Sequence, residues 1–160
     1  MSLTMREAVE TDVETIVSLL EEMQNELQAL AFDRAAFMDS VRDSLKENVT
    51  WFLFADETGK IFGTCHLQSL HNYWRRERRF YLGGFYIAPS HRGKGYFKEI
   101  NKRLEDWAKA HNGVEIYAHI HQDNEKSLKT FESVGLIDIK YQLCVHYWGE
   151  AEILPHKDND

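Results

Sequence analysis

Residues 87–100 read Ile-Ala-Pro-Ser-His-Arg-Gly-Lys-Gly-Tyr-Phe-Lys-Glu-Ile, and this stretch decides the fold class. An apolar run over residues 80–88 precedes it and predicts a buried strand that ends at Pro89. A short basic loop follows, and a helix is predicted to begin near Tyr96. The stretch therefore predicts a strand–loop–helix unit.

The loop of this unit has the composition of an anion-binding site. Gly93 and Gly95 allow tight turns and a close approach of the backbone to a ligand. The free N–H groups and the positive end of the dipole at a helix N-terminus favour an anion, and Arg92 and Lys94 add positive charge there. We expect a phosphate or pyrophosphate held mainly by backbone amides.

Two familiar phosphate-binding motifs are excluded at this loop. No Gly-Lys-Ser/Thr closes it, so it is not a Walker loop, and the third glycine of the dinucleotide-binding fingerprint is missing. The alternative is an ordinary strand-to-helix turn that carries surface cations.

Hydrophobic periodicity outside the loop predicts a mixed α/β fold. The sheet is expected to be mostly antiparallel, with a parallel crossover between its fourth and fifth strands and about four flanking helices. We predict one domain over residues 1–150 and a polar tail over residues 151–160. The predicted strands cover residues 3–8, 49–55, 61–70, 80–88 and 114–120, with one or two closing strands over 137–147, and the predicted helices begin near residues 12, 33, 96 and 125.

Charge is distributed unevenly along the 160 residues. The net charge is −7, yet the first 57 residues alone carry 13 acidic and four basic side chains, while the remainder is slightly basic. Such a field concentrates cations near one surface and argues against nucleic-acid binding, which needs a basic stripe. The alternative is that the acids are the solvated faces of amphipathic helices.

Cysteine usage and hydropathy point to a cytoplasmic protein. Cys65 and Cys144 lie far apart in strand-like runs and are expected to be buried free thiols. No apolar run reaches the length of a membrane span, and no signal peptide is recognisable. His66 and His71 have no metal-ligand spacing, so we expect no metal site.

Four segments resemble the GNAT acyltransferases, a family whose cofactor loop has the pattern Gln/Arg-x-x-Gly-x-Gly/Ala. The loop at residues 89–95 is the first of these segments. The start of the chain, residues 5–8, resembles the family's first strand. Asn124 with Ser127, and then the run at residues 131–136, resemble its Asn-x-x-Ala/Ser and Tyr-Glu-x-x-Gly-Phe. The resemblance covers nearly the whole chain and implies a GNAT-like (acyl-CoA N-acyltransferase) fold with acetyl-CoA as co-substrate.

The resemblance also implies which residues bind acetyl-CoA. The N–H groups of residues 92–97 should hold the pyrophosphate, residues 85–87 should face the pantetheine arm, and Asn124 should bond to the arm further along. Phe97 departs from the small residue usual at its position and either crowds the loop or packs under it. The implied cofactor-binding residues are Phe85, Tyr86, Ile87, Arg92, Gly93, Lys94, Gly95, Tyr96, Phe97, Asn124, Ser127 and Phe131.

The usual proton-transfer residues of the family are missing. Gly83-Gly84 stands where many relatives have an acidic residue, although these glycines could mark a β-bulge. The family's proton-donating Tyr aligns with Phe131. His121, followed by His119, is our candidate for the catalytic base, because histidine titrates near neutral pH. The alternative is that both are surface histidines.

These features predict an acetyl-CoA-dependent N-acetyltransferase. The acceptor is expected to be a primary amine that attacks the thioester directly, either a cationic small molecule or a lysine. The alternative is a non-catalytic acyl-CoA-binding protein of the same fold. Homodimers are common in the family, so a homodimer is an expectation from the resemblance alone. An arginine-rich connection, residues 73–79, either docks an anion or partner or pairs with acidic helices.

Overall fold

The computed structural model describes residues 2–27, 32–74 and 76–137. The predicted closing strands, apart from Ile137, lie outside these ranges, as do Cys144 and the tail of residues 151–160. In the described part of the chain, no helix combines the length and the apolar character needed to span a membrane.

The described residues form five strands and four α-helices, in the chain order that the hydrophobic periodicity predicts. Two short 3-10 turns, Glu10–Asp12 and Pro89–His91, precede α1 and α3. The elements are β1 (Thr4–Glu7), α1 (Val13–Leu27), α2 (Arg34–Ser44), β2 (Val49–Ala55), β3 (Ile61–Asn72), β4 (Glu77–Ile87), α3 (Tyr96–Ala110), β5 (Gly113–Tyr117) and α4 (Glu125–Glu132).

The strands form one sheet in the order β1-β2-β3-β4-β5. Neighbouring strands are antiparallel except β4 and β5, which are parallel and joined by α3. This is the predicted fold class, and it is confirmed. The crossover places the loop between β4 and α3 at the carboxyl end of β4.

A hydrophobic core lies on each face of the sheet. Alternation along the strands sends neighbouring residues to opposite faces, as Phe52 and Leu53 show. One core packs under α3 and contains Leu3, Phe52, Phe54, Phe62, Cys65, Leu67, Phe80, Leu82, Ile87, Tyr96, Ile100, Leu104 and Ala108. The other packs under α1 and α2 and contains Val13, Ile16, Val17, Leu19, Leu20, Val41, Trp51, Leu53 and Tyr86.

The β3–β4 hairpin is longer than the sequence predicted. Strand β4 begins at Glu77, not at residue 80, because Glu77 and Arg78 pair with the extended end of β3. Among the described residues of the arginine-rich connection, none forms an ion pair with the acidic first helices, which was one alternative. Arg79 pairs with Glu115 of β5 and lies over the Tyr117 ring.

The turn between α3 and β5 contains a left-handed residue. Asn112, rather than the neighbouring Gly113, takes this conformation, with φ 61°. Gly113 begins β5 instead, and a Cβ there would come within 2.6 Å of the Phe80 ring. The glycine is therefore required by close packing.

Candidate functional site

A cleft opens where β4 and β5 separate. The two strands are paired only from Arg78 with Gly113 to Tyr81 with Tyr117. Strand β4 continues to Ile87, whereas β5 ends at Tyr117. Among the described residues, the final part of β4 therefore pairs with β3 alone, and its other edge faces the cleft.

A β-bulge in β4 accompanies this separation. Thr64 pairs with Tyr86 and His66 with Gly83, so β4 holds one residue more than β3 between these pairs. Gly84 lies in this extra stretch with φ 56°, a left-handed conformation that favours glycine. The bulge predicted at Gly83-Gly84 is confirmed.

Backbone groups of β4 line the cleft. Ala88 donates its N–H to Phe62 of β3, whereas the Ile87 carbonyl accepts from the Arg92 Nε at 2.7 Å and so faces away from β3. Successive residues of a strand present their backbone groups to alternate edges, so those of Phe85 face the cleft as well. An extended ligand with amide groups could pair with this edge.

The loop after β4 presents a run of free N–H groups. Arg92 donates its N–H to the Pro89 carbonyl at 3.2 Å, so the run begins at Gly93 rather than at Arg92. Gly93 and Gly95 have φ 70° and 83°. Within the described chain, the backbone N–H groups of residues 93–98 form no hydrogen bond to the protein, and such a run of donors at the start of α3 is the arrangement called a nest, which could hold an anion.

The Arg92 side chain fixes the loop to the rest of the protein. Its guanidinium lies 2.8 Å from the Glu26 Oε2 of α1 and 5.4 Å from the centre of the Tyr86 ring. Arg92 is therefore largely committed to internal contacts. Lys94 is exposed on the loop, where it adds positive charge beside the nest.

Three aromatic rings support the loop from below. Phe97 packs edge-on against Phe85 and Phe131, with ring centres 5.3 and 5.1 Å apart. Phe85 and Phe131 are 6.0 Å apart. Of the two alternatives for Phe97, the structure favours packing under the loop over crowding it.

A second anchor ties the loop to the β2–β3 turn. His91 is buried and stacks on Phe62, while its Nδ1 lies 2.9 Å from the Ser90 Oγ and its Nε2 lies 3.0 Å from the Asp56 Oδ2. Hydrogen bonds from Thr58, followed by the bond with His91, hold the pKa of the Asp56 carboxyl well below its usual range.

Tyr96 belongs to this buried layer. Its ring lies 4.7 Å from that of Phe62 and is only 6% exposed. Burial raises the pKa of its hydroxyl. Because the Tyr96 side chain is buried, its backbone N–H is the group that is available to a ligand at the loop.

The two candidate catalytic histidines follow the end of β5 and point in different directions. His119 is exposed, and its ring lies 5.0 Å from that of Tyr81, on the α1 side of the sheet. His121 turns toward the start of α4, where its Nδ1 accepts the Asp123 N–H at 3.2 Å. The described contacts thus place the His119 ring beside Tyr81 and the His121 Nδ1 at the start of α4.

Asn124 is the N-cap of α4. Its Oδ1 accepts the Ser127 N–H at 3.1 Å, which stabilises the first turn of the helix. The Asn124 amide nitrogen remains the group that could donate to a ligand in the cleft, and Ser127 is half-buried beside it.

Tyr86 projects to the other side of β4 from the cleft. Its hydroxyl donates to the Glu26 Oε1 at 2.8 Å, and the Glu22 Oε2 lies 3.2 Å from the same oxygen. Burial and the two carboxylates raise the pKa of the Tyr86 hydroxyl. A ligand in the cleft would meet the backbone of this segment, while the Tyr86 side chain joins the loop to α1 through Glu26 and Arg92.

His66 lies at the bulge of β4, a position that the sequence alone did not indicate. Its ring lies against the bulge, where a Cβ on Gly83 would come within 2.5 Å of it, and it contacts Trp51 and Tyr81 with ring centres 4.6 and 6.0 Å away. The Nδ1 atom is buried and has no hydrogen-bond partner among the described residues. Burial lowers the pKa of His66 to about 4, so the ring is neutral.

A small pocket adjoins His66 between the sheet and the first two helices. Its volume is about 280 Å³. The described lining residues are Leu20, Met23, Phe37, Ser40, Val41, Ser44, Trp51, His66 and Gly84. The pocket is therefore mostly apolar, and it reaches the bulge of β4 from the side opposite α3.

A larger cavity lies near the amino-terminal end of β4. It has a volume of about 590 Å³ and includes Arg78, Phe80, Trp107 and His111 near the start of β4 and the end of α3. At about 3.3 Å per residue, the start of β4 is about 30 Å from the loop. Among the described residues, no group of three or more His, Cys, Asp or Glu side chains could hold a metal ion.

Comparisons with known proteins agree with this geometry. The family model described as acetyltransferase (GNAT) family matches residues 14–136. A spermidine N(1)-acetyltransferase from Vibrio cholerae serotype O1 is 28% identical over 88 residues, which is 54% of this chain. That alignment covers 49% of the relative, about half its length.

Solved structures share the fold at low sequence identity. A possible acetyltransferase from Clostridium difficile 630 has a TM-score of 0.83 and 17% identity, over 92% of this chain and 98% of that one. A predicted acetyltransferase from Clostridium acetobutylicum, in a crystal structure with acetyl-CoA, has a TM-score of 0.74 and 17% identity, over 91% and 96% of the two chains.

Proposed function

The chain belongs to the acetyltransferase (GNAT) family, and from this premise we propose that it transfers the acetyl group of acetyl-CoA to a primary amine. The amine nitrogen bonds to the thioester carbonyl carbon, and the carbon–sulfur bond breaks. One proton passes from the nitrogen to the departing sulfur, so that the products are an amide and a free thiol. Acetyl-CoA supplies the activated acetyl group, and the protein supplies the binding and the proton transfer.

The observation that carries the proposal is the run of free N–H groups over residues 93–98, placed at the end of an unpaired strand edge. The N–H nest suits the pyrophosphate, and the β4 edge, with the backbone groups of Phe85 and Ile87, suits the amide groups of the pantetheine arm. Lys94 and the Asn124 amide nitrogen are the side-chain groups proposed to assist. The C. acetobutylicum structure with acetyl-CoA supports the choice of co-substrate.

A cationic acceptor is proposed on the grounds of charge. Glu22 and Glu26 of α1 lie beside Tyr86 on the acceptor side of β4, within an N-terminal region rich in acids. Such a field attracts an ammonium group in solution. The partial similarity to a spermidine N(1)-acetyltransferase supports a small amine, and a lysine side chain would meet the same requirement.

His119 and His121 remain proposals for the proton transfer. The geometry favours His119, whose ring lies near Tyr81 at the mouth of the cleft, over His121, which is turned toward α4. The buried free thiol of Cys65 supports a reducing compartment, and we propose a cytoplasmic location. The homodimer likewise remains a proposal.

Calorimetry with acetyl-CoA, followed by free-thiol release against a panel of primary amines, tests the proposed function. The expected result is binding, with thiol release only when an acceptor is present. Binding without thiol release on any amine would instead support the non-catalytic acyl-CoA-binding alternative. A protein that does not bind acetyl-CoA would refute both.

A further inference from the structure

We propose that the turn between β3 and β4 inserts Trp74 into the large cavity near the start of β4 on a second copy of the chain, and that the second copy returns the same contact. The structure describes Tyr73, Trp74 and Arg76 of this turn, which we call the tip. The cavity of about 590 Å³ is called the groove. The inference names the surface of a symmetric dimer, and it goes beyond the proposed activity because it needs no residue of the anion-binding loop.

The tip exposes two aromatic side chains. Trp74 is 97% exposed and Tyr73 is 83% exposed, more than any other large apolar side chain among the described residues. The Trp74 N–H donates to the Asn72 Oδ1 at 3.2 Å, and this bond ties the turn to the end of β3. Aromatic side chains contribute strongly to interface energies, and exposed apolar clusters mark interaction sites. The tip is therefore a candidate for contact with another surface.

The groove is lined by aromatic and aliphatic residues that can receive such a side chain. Leu67 and Phe80, which belong to the core under α3, are part of its lining. Trp107 also lines it, with its ring centre 5.4 Å from that of Phe80 and its Nε1–H donated to the Glu7 Oε1 at 2.7 Å. Because these contacts already hold Trp107, the groove exists before any partner binds. Its volume is within the range of roughly 300–1,000 Å³ of clefts that bury drug-sized groups.

The positions of the tip and the groove make this end of the sheet self-complementary. Tyr73 of the tip also lines the groove, so the projecting rings and the cavity adjoin each other. A two-fold axis beside Tyr73 places the Trp74 side chain of each copy in the groove of the other. Such a contact uses the same surface on both copies and closes as a dimer.

Charges at the edge of the surface are complementary as well. Arg76 of the tip and Glu47 of the groove lining are exposed, and neither forms an ion pair with a described residue. In the dimer each Arg76 side chain lies against the partner's Glu47, and two such pairs fix the orientation of the copies. The net charge of −7 on each copy opposes association, but exposed charges more than about 8 Å apart are largely screened at physiological salt.

The area of the contact is sufficient for a stable dimer. An aromatic side chain buries about 150–250 Å², so two Trp74 and two Tyr73 rings remove about 600–1,000 Å² from water. The surfaces that they cover lose a similar area, and the sum reaches the range of about 1,200–2,000 Å² of specific interfaces. An anionic lipid surface or an acidic protein segment would use Arg76 but would leave the groove empty. A second copy accounts for both features.

Sedimentation equilibrium of the full chain tests the proposal. We expect a dimer with a dissociation constant at or below about 10 μM, and Trp74→Ser should raise that constant by about 30-fold or more, as central tryptophans of interfaces do. Leu27 is 59% exposed at the end of α1, so Leu27→Ser is the control and should leave the constant unchanged. A monomeric wild-type protein, or a dimer that Trp74→Ser does not weaken, would overturn the proposal.

A charge exchange tests the two-fold arrangement. Glu47→Arg and Arg76→Glu should each weaken the dimer by about tenfold or more, because each places two like-charge pairs in it. In an equimolar mixture of these two variants, both pairs of the mixed dimer again have opposite charges. We therefore expect the mixture to recover dimers that neither variant forms alone. A mixture that stays as weakly associated as its components would overturn the reciprocal contact.

The other possible partners are separated by the same variants. Flotation with phosphatidylserine vesicles should show no binding that depends on Trp74. A monomer that binds these vesicles through Trp74 would assign the tip to a lipid surface and overturn the dimer. Because the main readout is mass, the result is independent of acetyl transfer: loss of the proposed activity leaves it standing, and a monomeric enzyme refutes it alone.

Discussion

Replacing Gly95 by alanine perturbs the anion-binding loop at one dihedral angle. Gly95 has φ 83° immediately before α3, and a Cβ there would meet no heavy atom within 4 Å. The substitution therefore introduces no clash, and its cost is the left-handed conformation of an L residue, about 1–2 kcal/mol.

Because the loop is exposed, the cost of the left-handed conformation is expected in ligand binding rather than in folding stability. Gly93, Lys94 and Gly95 are exposed, so the variant can relieve the strain locally by rotating to negative φ. That rotation turns the N–H groups away from a common point. Binding must then restore the left-handed conformation, so we expect the dissociation constant of acetyl-CoA to rise by a factor of about 5–30, the equivalent of 1–2 kcal/mol.

Gly59→Ala is the matched control for this prediction. Gly59 has the same φ of 83° and equally open surroundings, but it lies in the β2–β3 turn. Its cost should appear as a lower melting temperature, by about 2–4 °C per kcal/mol, with little change in acetyl-CoA affinity. Calorimetric titration and thermal unfolding of both variants give the comparison. Equal losses of affinity in the two variants, or none in Gly95→Ala, would refute the role assigned to the loop.

Two further predictions concern ion pairs and anchors. Arg6 donates two hydrogen bonds to Asp12 and lowers the pKa of that carboxyl below 3.8, so Asp12→Asn should reduce the free energy of unfolding by about 1 kcal/mol at neutral pH. Because the folded-state pKa is lowered, that contribution is present above pH 3.8 and is lost as the pH falls below it; a difference between the two proteins that does not shrink in acid would contradict this. His91→Phe keeps the stacking on Phe62 but removes the bond to Asp56, and we expect about a fivefold weaker affinity for acetyl-CoA by calorimetry. Asp56→Asn should give the same loss, and the double variant no more, whereas additive losses would mean that the two residues act separately.

The loop proposed to bind the cofactor could be predicted from the sequence because the residues that form it are close together in the chain. The end of a strand, two glycines with neighbouring cations and a helix start all lie within residues 87–100, whereas the contacts of the loop with Glu26 and Asp56 involve distant segments. Strand β2 was predicted with the bounds that the structure shows, because its apolar run is continuous and its neighbours are turn residues.

The surroundings of His66 could not be predicted because they depend on pairing between distant segments. His66 lies opposite Gly83 in a register that a bulge in β4 sets, and it contacts Trp51 of another strand. Nothing near His66 in the sequence shows these partners. The early start of β4 was missed for a similar reason, since the polar residue Glu77 becomes a strand residue only by pairing with Asn72.

The most direct test of the proposed activity is free-thiol release from acetyl-CoA by the full-length protein, measured with and without a primary amine. We predict saturable, protein-dependent thiol release that requires the amine, together with the appearance of the N-acetylated amine in equal amount. Acetyl-CoA binding without amine-dependent thiol release, across monoamines, polyamines and lysine, would contradict the assignment of this chain as an N-acetyltransferase.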